Sequence, residues 1–493
     1  MAVRGDNNVC CLPPLPSQLG PVGTTEFLSR ALDDKAPKSS HSPKHLAHQE
    51  RGQLFDSTAS DSRLQDTNWS FSIPKLMTAT STNPFLLPQK LEILKGFSVH
   101  SSSSVPRRGL LIGGAATALT GVLAAGALPA TAAATIPTKQ NAPGKAKLKF
   151  GKDGKFKIVQ FNDTQDGPRT DKRTIELMDK VLDTEAPDFV LINGDVIDGQ
   201  PKTDLEVKQA INNVVMPMES RKISWALTFG NHDEDSLSNG TSMTEAKMLT
   251  FIRGYKYNVN TPEDDVFGSS NSQLLISGSR GNKPRFGIWL LDSGRYAASN
   301  IAGQDFKGLK NYDWIRPEQV QWYRETSRAT ERRHGKVPSL MFFHIPLWEH
   351  HHMWYGSQFT SNESDHAAAR KKHSIVGEKN EGVYTGAFNS GLFTAMLERG
   401  DVRGAYCGHD HINTYMGNYF GIELGYGPGT GFAPYGKNGA DKHQLRGARV
   451  FELDENAKEI YTATRTVFAK DFGIDMDAAR QPLPAPAPLP KYL

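Results

Sequence analysis

Between residues 156 and 229 the chain alternates three short apolar segments with two amphipathic stretches, and nothing else in the sequence constrains the fold as tightly. Phe156, Ile158, Val159 and Phe161 form the first segment, Phe189–Ile192 the second and Ile223–Phe229 the third. Ile175, Met178, Val181 and Leu182 recur at helical spacing between the first two; Val207, Ile211, Val214, Val215 and Met218 do so between the last two. Short apolar runs of this length read as strands, and the 3.6-residue period reads as helix. Strands joined by connections of a dozen or more residues predict a parallel sheet with crossover helices. Further strands are expected over 286–291, 339–343 and 402–406, with helices starting near Pro317 and covering 392–397. Residues 447–465 alternate well enough for a closing hairpin around Asp454-Glu455-Asn456. The α/β domain is therefore expected over 147–468. Residues 235–285 and 350–390 are polar and lack a sustained period, so they read as long irregular insertions. The Pro- and Ala-rich end, 469–493, reads as an extended and unstructured tail.

The segment before this domain has a different character. Residues 1–105 are rich in Ser, Pro, Thr and Asn and show no periodic pattern. Pro106-Arg107-Arg108 then precedes an uncharged Gly/Ala/Leu run that ends in the small-residue sites Ala130-Thr131-Ala132 and Ala132-Ala133-Ala134. A twin arginine, a weakly apolar run and small residues at the end read as a twin-arginine export signal over 106–134. Gly, Ala and Pro129 make the run a poor membrane anchor, so no stable anchor is expected. The region in front has two readings: Met77 is the true start of a bacterial exported protein, or 77–106 is part of a plastid transit peptide. The destination is accordingly periplasmic or extracellular in one case and the thylakoid lumen in the other, with the twin-arginine translocation machinery as the export partner.

Composition narrows the chemistry. The 57 Lys and Arg exceed the 53 Asp and Glu only slightly, and three of the four excess charges lie in the first 108 residues. A near-neutral body lacks the basic stripe that an obligate nucleic-acid binder needs. The three cysteines, Cys10, Cys11 and Cys407, support neither a disulfide framework nor a thiolate zinc site. Any metal must rest on His, Asp and amide side chains. Five polar clusters follow the expected strands in order: Asp163-Thr164-Gln165, Gly194-Asp195-Val196-Ile197-Asp198, Gly230-Asn231-His232-Asp233, His344-Ile345-Pro346 and Gly408-His409-Asp410-His411. The carboxyl ends of strands in an α/β sheet line one crevice, so these loops should converge. Their carboxylates, amides and imidazoles suit two divalent ions sharing one carboxylate.

The ordered set resembles the calcineurin-like metallophosphoesterase superfamily, in its purple-acid-phosphatase-like bacterial and plant branch, over about residues 150–465. The resemblance implies a four-layer α-β-β-α sandwich of two mixed sheets flanked by helices. It also implies that Asp163 and His411 hold a first ion, that Asn231, His344 and His409 hold a second, and that Asp195 bridges them. His232 becomes the general acid and Asp198 the residue that orients it. The implied reaction is in-line hydrolysis of a small phosphomonoester or phosphodiester by a metal-activated hydroxide. Two positions depart from the pattern. Gln165 stands where the family has His, and a neutral amide oxygen favours a harder ion, Mn²⁺ or Fe²⁺, with Zn²⁺ or Mg²⁺ as alternatives. Asp198 stands where a purple acid phosphatase has its iron-ligating Tyr, so the protein should not be purple. A metal-binding pseudoenzyme with a degenerate Gln165 site and a nuclease on the same core are the competing readings.

Other residues are read conservatively. His350-His351-His352, which follows the His344 loop, is expected in a solvated loop, with lining of the pocket as the alternative, and Trp314, Trp322, Tyr323 and Trp348 in core and loop packing. Cys407 is expected to be a buried small residue. Asp233 and Glu234 either support His232 or are exposed, and Glu381 and Tyr384 are candidates for substrate contact by position alone.

Overall fold

The computed structural model describes residues 147–493, apart from 263–264, 309–310, 357–361 and 438–443. Residues 106–134, read above as an export signal, and everything before them lie outside the described residues. Within them no helix is long and apolar enough to cross a membrane.

The expected alternation opens the domain: β1 (Lys155–Phe161), α1 (Lys172–Glu185), β2 (Phe189–Asn193), α2 (Asp204–Arg221) and β3 (Ser224–Thr228). Asp171 caps α1 by accepting from Arg173 N, and Thr203 caps α2 by accepting from Glu206 N. The middle of the chain contributes α3 (Glu245–Ile252), β4 (Ser272–Ser277), β5 (Pro284–Leu290), a two-residue hairpin of β6 (Asn300–Ile301) and β7 (Gln304–Asp305), α4 (Pro317–His334) and β8 (Ser339–Phe342). Then follow α5 (Trp348–Tyr355), α6 (Glu363–His373), α7 (Leu392–Arg399), β9 (Val402–Cys407), β10 (Met416–Tyr419), β11 (Ile422–Tyr426), β12 (Gly447–Asp454) and β13 (Tyr461–Phe468).

Two mixed sheets form. One runs β13-β12-β1-β2-β3 and the other β10-β11-β9-β8-β5-β4. β1, β2 and β3 are parallel, and so are β5, β8, β9 and β11, while β12, β13, β4 and β10 pair antiparallel at the flanks. Strand pleating divides the side chains between two cores. Ile158, Phe189, Leu191, Ile288, Leu340, Phe342 and Phe451 meet between the sheets. Val159, Phe161, Val190 and Ile192 face the other way and pack against α1, α2 and α3. Met341, Phe343 and Ala405 face α4, α5 and α7 on the far side. Burial on both faces is why these strands read as continuous apolar runs rather than as alternating ones. The result is the expected four-layer α-β-β-α sandwich.

Three expectations are corrected. The insertions are not irregular: 235–285 contains α3 and β4, and 350–390 contains most of α5 and all of α6. Their signals are weak because β4 is an edge strand between serines and α6 carries almost no large apolar residue. His350–His352 belong to α5 rather than to a solvated loop, and His350 is fully buried against Phe343 and Tyr426. The tail is extended but docked, its carbonyls being taken up by the fully buried Arg173, whose guanidinium is also paired with Asp171 at 2.9 Å.

Candidate metal centre

The five polar loops follow β1, β2, β3, β8 and β9, and they meet where the two sheets face each other at the carboxyl ends of those strands. Local backbone geometry aims the side chains. Asp163, Gln165, Asp195 and His409 all have φ in the left-handed region, at +50°, +35°, +49° and +73°. Non-glycine residues rarely adopt this conformation, and they hold it only where their surroundings enforce it. Two glycines make room for the approach. A Cβ on Gly194, whose φ is +84°, would meet the His344 ring, and one on Gly230 would meet the Asp195 carboxylate and backbone. The Gly-Asp and Gly-Asn-His spellings in the sequence therefore record close contact between neighbouring loops.

Ligand-type atoms of Asp195, His344 and His409 form one cluster, and those of Asp163, Asp195 and His411 form another, each within 4.8 Å. Asp195 is common to both. His344 Nε2 lies 3.1 Å from Asp195 Oδ2 and 3.9 Å from Asp163 Oδ1, and His411 Nε2 lies 3.6 Å from Asp163 Oδ1. Adjacent ligands of one ion at about 2.0–2.2 Å sit roughly 3 Å or a little more apart, so the His344–Asp195 and His411–Asp163 separations have the right scale, while the His344–Asp163 separation spans the two clusters.

A second observation tests the fit. Asp163 Oδ2, Gln165 Oε1, Asn231 Oδ1, His409 Nε2 and His411 Nδ1 are all buried with no hydrogen-bond partner among the described residues, and Asp195 Oδ2 and His344 Nε2 have only each other. A buried polar atom without a partner is costly, so five of them on neighbouring loops point to a cationic occupant. Their partnered atoms are fixed from behind. His344 Nδ1 bonds the Asn193 carbonyl at 3.0 Å, and Asn231 Nδ2 donates to Tyr296 Oη at 3.2 Å, which turns the amide oxygen the other way. Two cation-binding triads sharing Asp195 are thus built into the fold, on residues suited to a metal-dependent hydrolase.

The electrostatics agree. Burial, reinforced by the neighbouring charges, holds His409 well below the ordinary histidine range and takes His411 down to about 3, so both rings are neutral. Neutral imidazole is the ligating form. Burial also disfavours the His344 imidazolium, but the Asp195 and Asp163 carboxylates outweigh it and push its pKa up to about 10. Burial raises Asp163 to about 7. Without a cation, a proton on His344 balances the acidic charge.

The decisive comparison is with a family model described as calcineurin-like phosphoesterase, which matches residues 156–413. The chain belongs to the calcineurin-like phosphoesterase family. Relatives include a probable inactive purple acid phosphatase 29 of Arabidopsis thaliana, 31% identical over 64% of this chain and 80% of that one. Phosphatase DCR2 of Saccharomyces cerevisiae is 28% identical over 67% of this chain and 57% of its own length. Among solved structures, a dimetal phosphatase from Danio rerio aligns with 64% of this chain and 99% of that one, at 12% identity and a TM-score of 0.40.

Within this calcineurin-like site the surroundings of His232 differ from the sequence expectation. Its Nδ1 lies 2.6 Å from Asp235 Oδ2, whereas Asp198 accepts from the backbone N and side-chain Nε2 of Gln200. Asp235, rather than Asp198, is the carboxylate hydrogen-bonded to the ring. It begins the short 3₁₀ turn Asp235–Asn239, a register that no Gly-Asn-His spelling reveals. Arg295 Nη2 donates to Asp235 Oδ1 at 2.6 Å, Arg295 Nη1 to Glu234 Oε2 at 3.2 Å, and Arg295 Nε to the Asn231 carbonyl at 3.0 Å. Asp233 is fully buried and accepts from Val196 N, Ile197 N and Gly230 N, tying the second loop to the third. Tyrosines missed in the sequence complete the rim. Tyr312 sits edge-on to His409 with ring centres 4.3 Å apart, and Tyr435 stacks on His411 at 4.2 Å. Glu381 accepts from Tyr435 Oη at 2.7 Å and from Ile412 N at 2.9 Å, while Tyr384 is half exposed.

Proposed function

We propose that this protein hydrolyses a phosphomonoester, a phosphodiester being the near variant, with His232 as the general acid. The observation that supports this most strongly is the pair of triads sharing Asp195, with a partly exposed His232 beside them. Asp163, Gln165, Asp195 and His411 would hold one divalent ion, and Asp195, Asn231, His344 and His409 the other. When bound, such ions supply charge neutralisation for the phosphoryl oxygens and a water-derived nucleophile at neutral pH. Asp235 occupies Nδ1 of His232, which leaves Nε2 as the nitrogen able to donate a proton to the departing oxygen. Tyr296 Oη, 3.4 Å from the same Nδ1, and Arg295 on Asp235 keep that pair in place. Asp198 is linked to the first loop through Gln200, whose Nε2 donates to both Asp198 and Asp166. Mn²⁺ or Fe²⁺ suits the amide-containing first site better than Zn²⁺. Arg107-Arg108 and the run after them support export by a twin-arginine route, to the periplasm, the exterior or the thylakoid lumen.

The test is metal content of the purified chain, followed by hydrolysis of an aryl phosphomonoester and an aryl diester with Mn²⁺, Fe²⁺, Zn²⁺ or Mg²⁺. Two ions per chain, with turnover that His232→Ala lowers by about 10²-fold or more, are expected. One ion or none, with no turnover under any condition, would sink the reading. That result would favour a metal-binding protein without activity, the reading supported by Gln165 and by the word "inactive" in the name of the Arabidopsis relative.

A further inference from the structure

The loop that carries Gln165 is held by a segment that lies beyond residues 156–413, the region matched by the family model. Residues 475–493 run as a strap over α1 and α2. Lys172 N donates to Gln481 O at 2.8 Å, Gln481 N to Asp171 Oδ2 at 2.9 Å and Leu483 N to Thr170 O at 2.8 Å, a short antiparallel pairing that fixes the strap's register. Further on, Ala487 N donates to Asn213 Oδ1 at 2.7 Å, and Asn212 Nδ2 donates to Ala487 O at 2.9 Å. A Pro-rich segment has few N–H groups of its own to spend on helix or sheet, so side-chain donors on the domain capture its carbonyls instead.

This register brings Arg480 to the first metal loop. Its guanidinium donates to Asp166 Oδ1, to Gln200 Oε1 at 3.2 Å and to the Arg169 carbonyl at 3.2 Å. Asp166 is the neighbour of Gln165 and is itself only 1% exposed. Its carboxylate also accepts from Gly167 N and Asp171 N, both at 2.7 Å, and from Gln200 Nε2. Gln200 in turn donates to Asp198. The segment thus clamped includes two left-handed non-glycine residues in three, Asp163 and Gln165, and the unpartnered Gln165 amide oxygen. Such a turn persists only while its surroundings over-determine it. A buried carboxylate likewise stays in place only when paired and hydrogen-bonded.

We propose that Arg480, delivered by the C-terminal strap, is a positioning residue for the first metal site: through Asp166 and Gln200 it fixes the turn that presents Gln165. The proposal deepens the two-metal reading for its metal-binding consequence, but its geometric core is independent of it. The test uses the full chain as wild type, Arg480→Ala, Arg480→Lys and Arg169→Ala. The last variant removes a different strap contact, Arg169 Nε to Leu483 O at 2.8 Å, and leaves Arg480 in place.

Hydrogen exchange of the metal-free proteins is read first. Arg480→Ala is expected to speed exchange at the amides of Gln165 and Asp171 by at least about tenfold while Val159 and Leu191 in the core strands stay protected. Arg480→Lys should restore part of that protection, and Arg169→Ala should leave these amides near wild type. Mn²⁺ titration is read second. Arg480→Ala should weaken one of two sites by about 10- to 100-fold and spare the other, the effect typical of a residue that holds a ligand from behind. Unchanged exchange at Gln165 and Asp171, or loss of protection throughout the core, overturns the proposal. A wild type that binds no metal refutes the two-metal reading alone, because the exchange result still decides whether Arg480 fixes the turn.

Discussion

Replacing Asp235 by Asn removes one negative charge beside His232 while keeping a hydrogen-bond acceptor, so it separates electrostatics from orientation. Burial works against the His232 imidazolium, yet the hydrogen bond to Asp235 and the charges of Asp195 and Asp235 win and hold its pKa above the ordinary 6.5. The size of the Asp235 contribution follows from geometry. Nδ1 and Oδ2 are 2.6 Å apart, but charge centres in such a pair lie roughly 4 Å apart, which gives about 1 kcal/mol in water and about 4 kcal/mol at an effective dielectric of 20. Both side chains are about one-third exposed, and Arg295 already draws on the same carboxylate, so the value belongs near the aqueous end. About 1–2 kcal/mol corresponds to roughly one pK unit. As a general acid His232 must be protonated, so activity is full below its pKa and falls as pH rises through it. Asp235→Asn should therefore move the alkaline limb of kcat/KM about one unit to lower pH, with a tenfold loss well above the limb and little change below it. The assay is the pH profile for an aryl phosphomonoester at saturating metal. An unmoved limb, or one moved to higher pH, would refute the electrostatic argument. A uniform loss at every pH would assign Asp235 to ring orientation alone.

Chelation should lower stability: ions present at about 100 times their Kd contribute about 2.7 kcal/mol, so a melting point several degrees lower is expected in a chelator than in Mn²⁺. Asp233→Ala strands the N–H groups of Val196, Ile197 and Gly230, and should cost about 3 kcal/mol or more in urea unfolding; a loss under 1 kcal/mol would contradict that role. His350 is a pH probe away from the chemistry. Burial takes its pKa down to about 4, so the unfolded chain binds the proton first. Its contribution is full above pH 6.5 and fades as pH falls towards 4, by about 3 kcal/mol in all. His350→Phe should flatten the acid side of a stability–pH curve, and an unchanged slope would show that His350 is not what acid attacks.

Much of this fold is legible in the sequence because burial on both faces makes its central strands unmistakable. Ile158 faces one core and Val159 the other, so neither position tolerates a polar residue. The ligands are legible for a related reason: each follows its strand directly, and glycines mark where two loops nearly touch. What escapes is whatever depends on the register of a local turn or on a partner distant in sequence. Asp235 lies only three residues from His232, yet a 3₁₀ turn decides that it, and not Asp198, reaches the ring. Tyr296, Tyr312 and Tyr435 come from irregular segments whose only signal is their aromatic character. The strap is hidden most thoroughly, since Pro-rich composition describes its lack of internal hydrogen bonds and says nothing of Arg173 or Asn212 waiting for its carbonyls.

The arrangement of ligands ties metal affinity to the packing of the sheets. Asp163 and Asp195 follow β1 and β2 of the five-stranded sheet, whereas His344, His409 and His411 follow β8 and β9 of the six-stranded one. Each triad therefore draws on both sheets, and neither sheet alone can complete a site. The same seam is stitched without metal by Asn193 Nδ2 donating to the Phe343 carbonyl at 3.0 Å and by His344 Nδ1 bonding the Asn193 carbonyl. A cation held across it acts as a cross-link whose binding energy becomes folding energy. It follows that substitutions in the layer between the sheets, far from any ligand, should weaken both sites together by shifting one set of ligands against the other. Loop substitutions such as Arg480→Ala should instead weaken one site alone. Loss of both affinities after Leu191→Ala, against loss of one after Arg480→Ala, is the pattern this geometry requires.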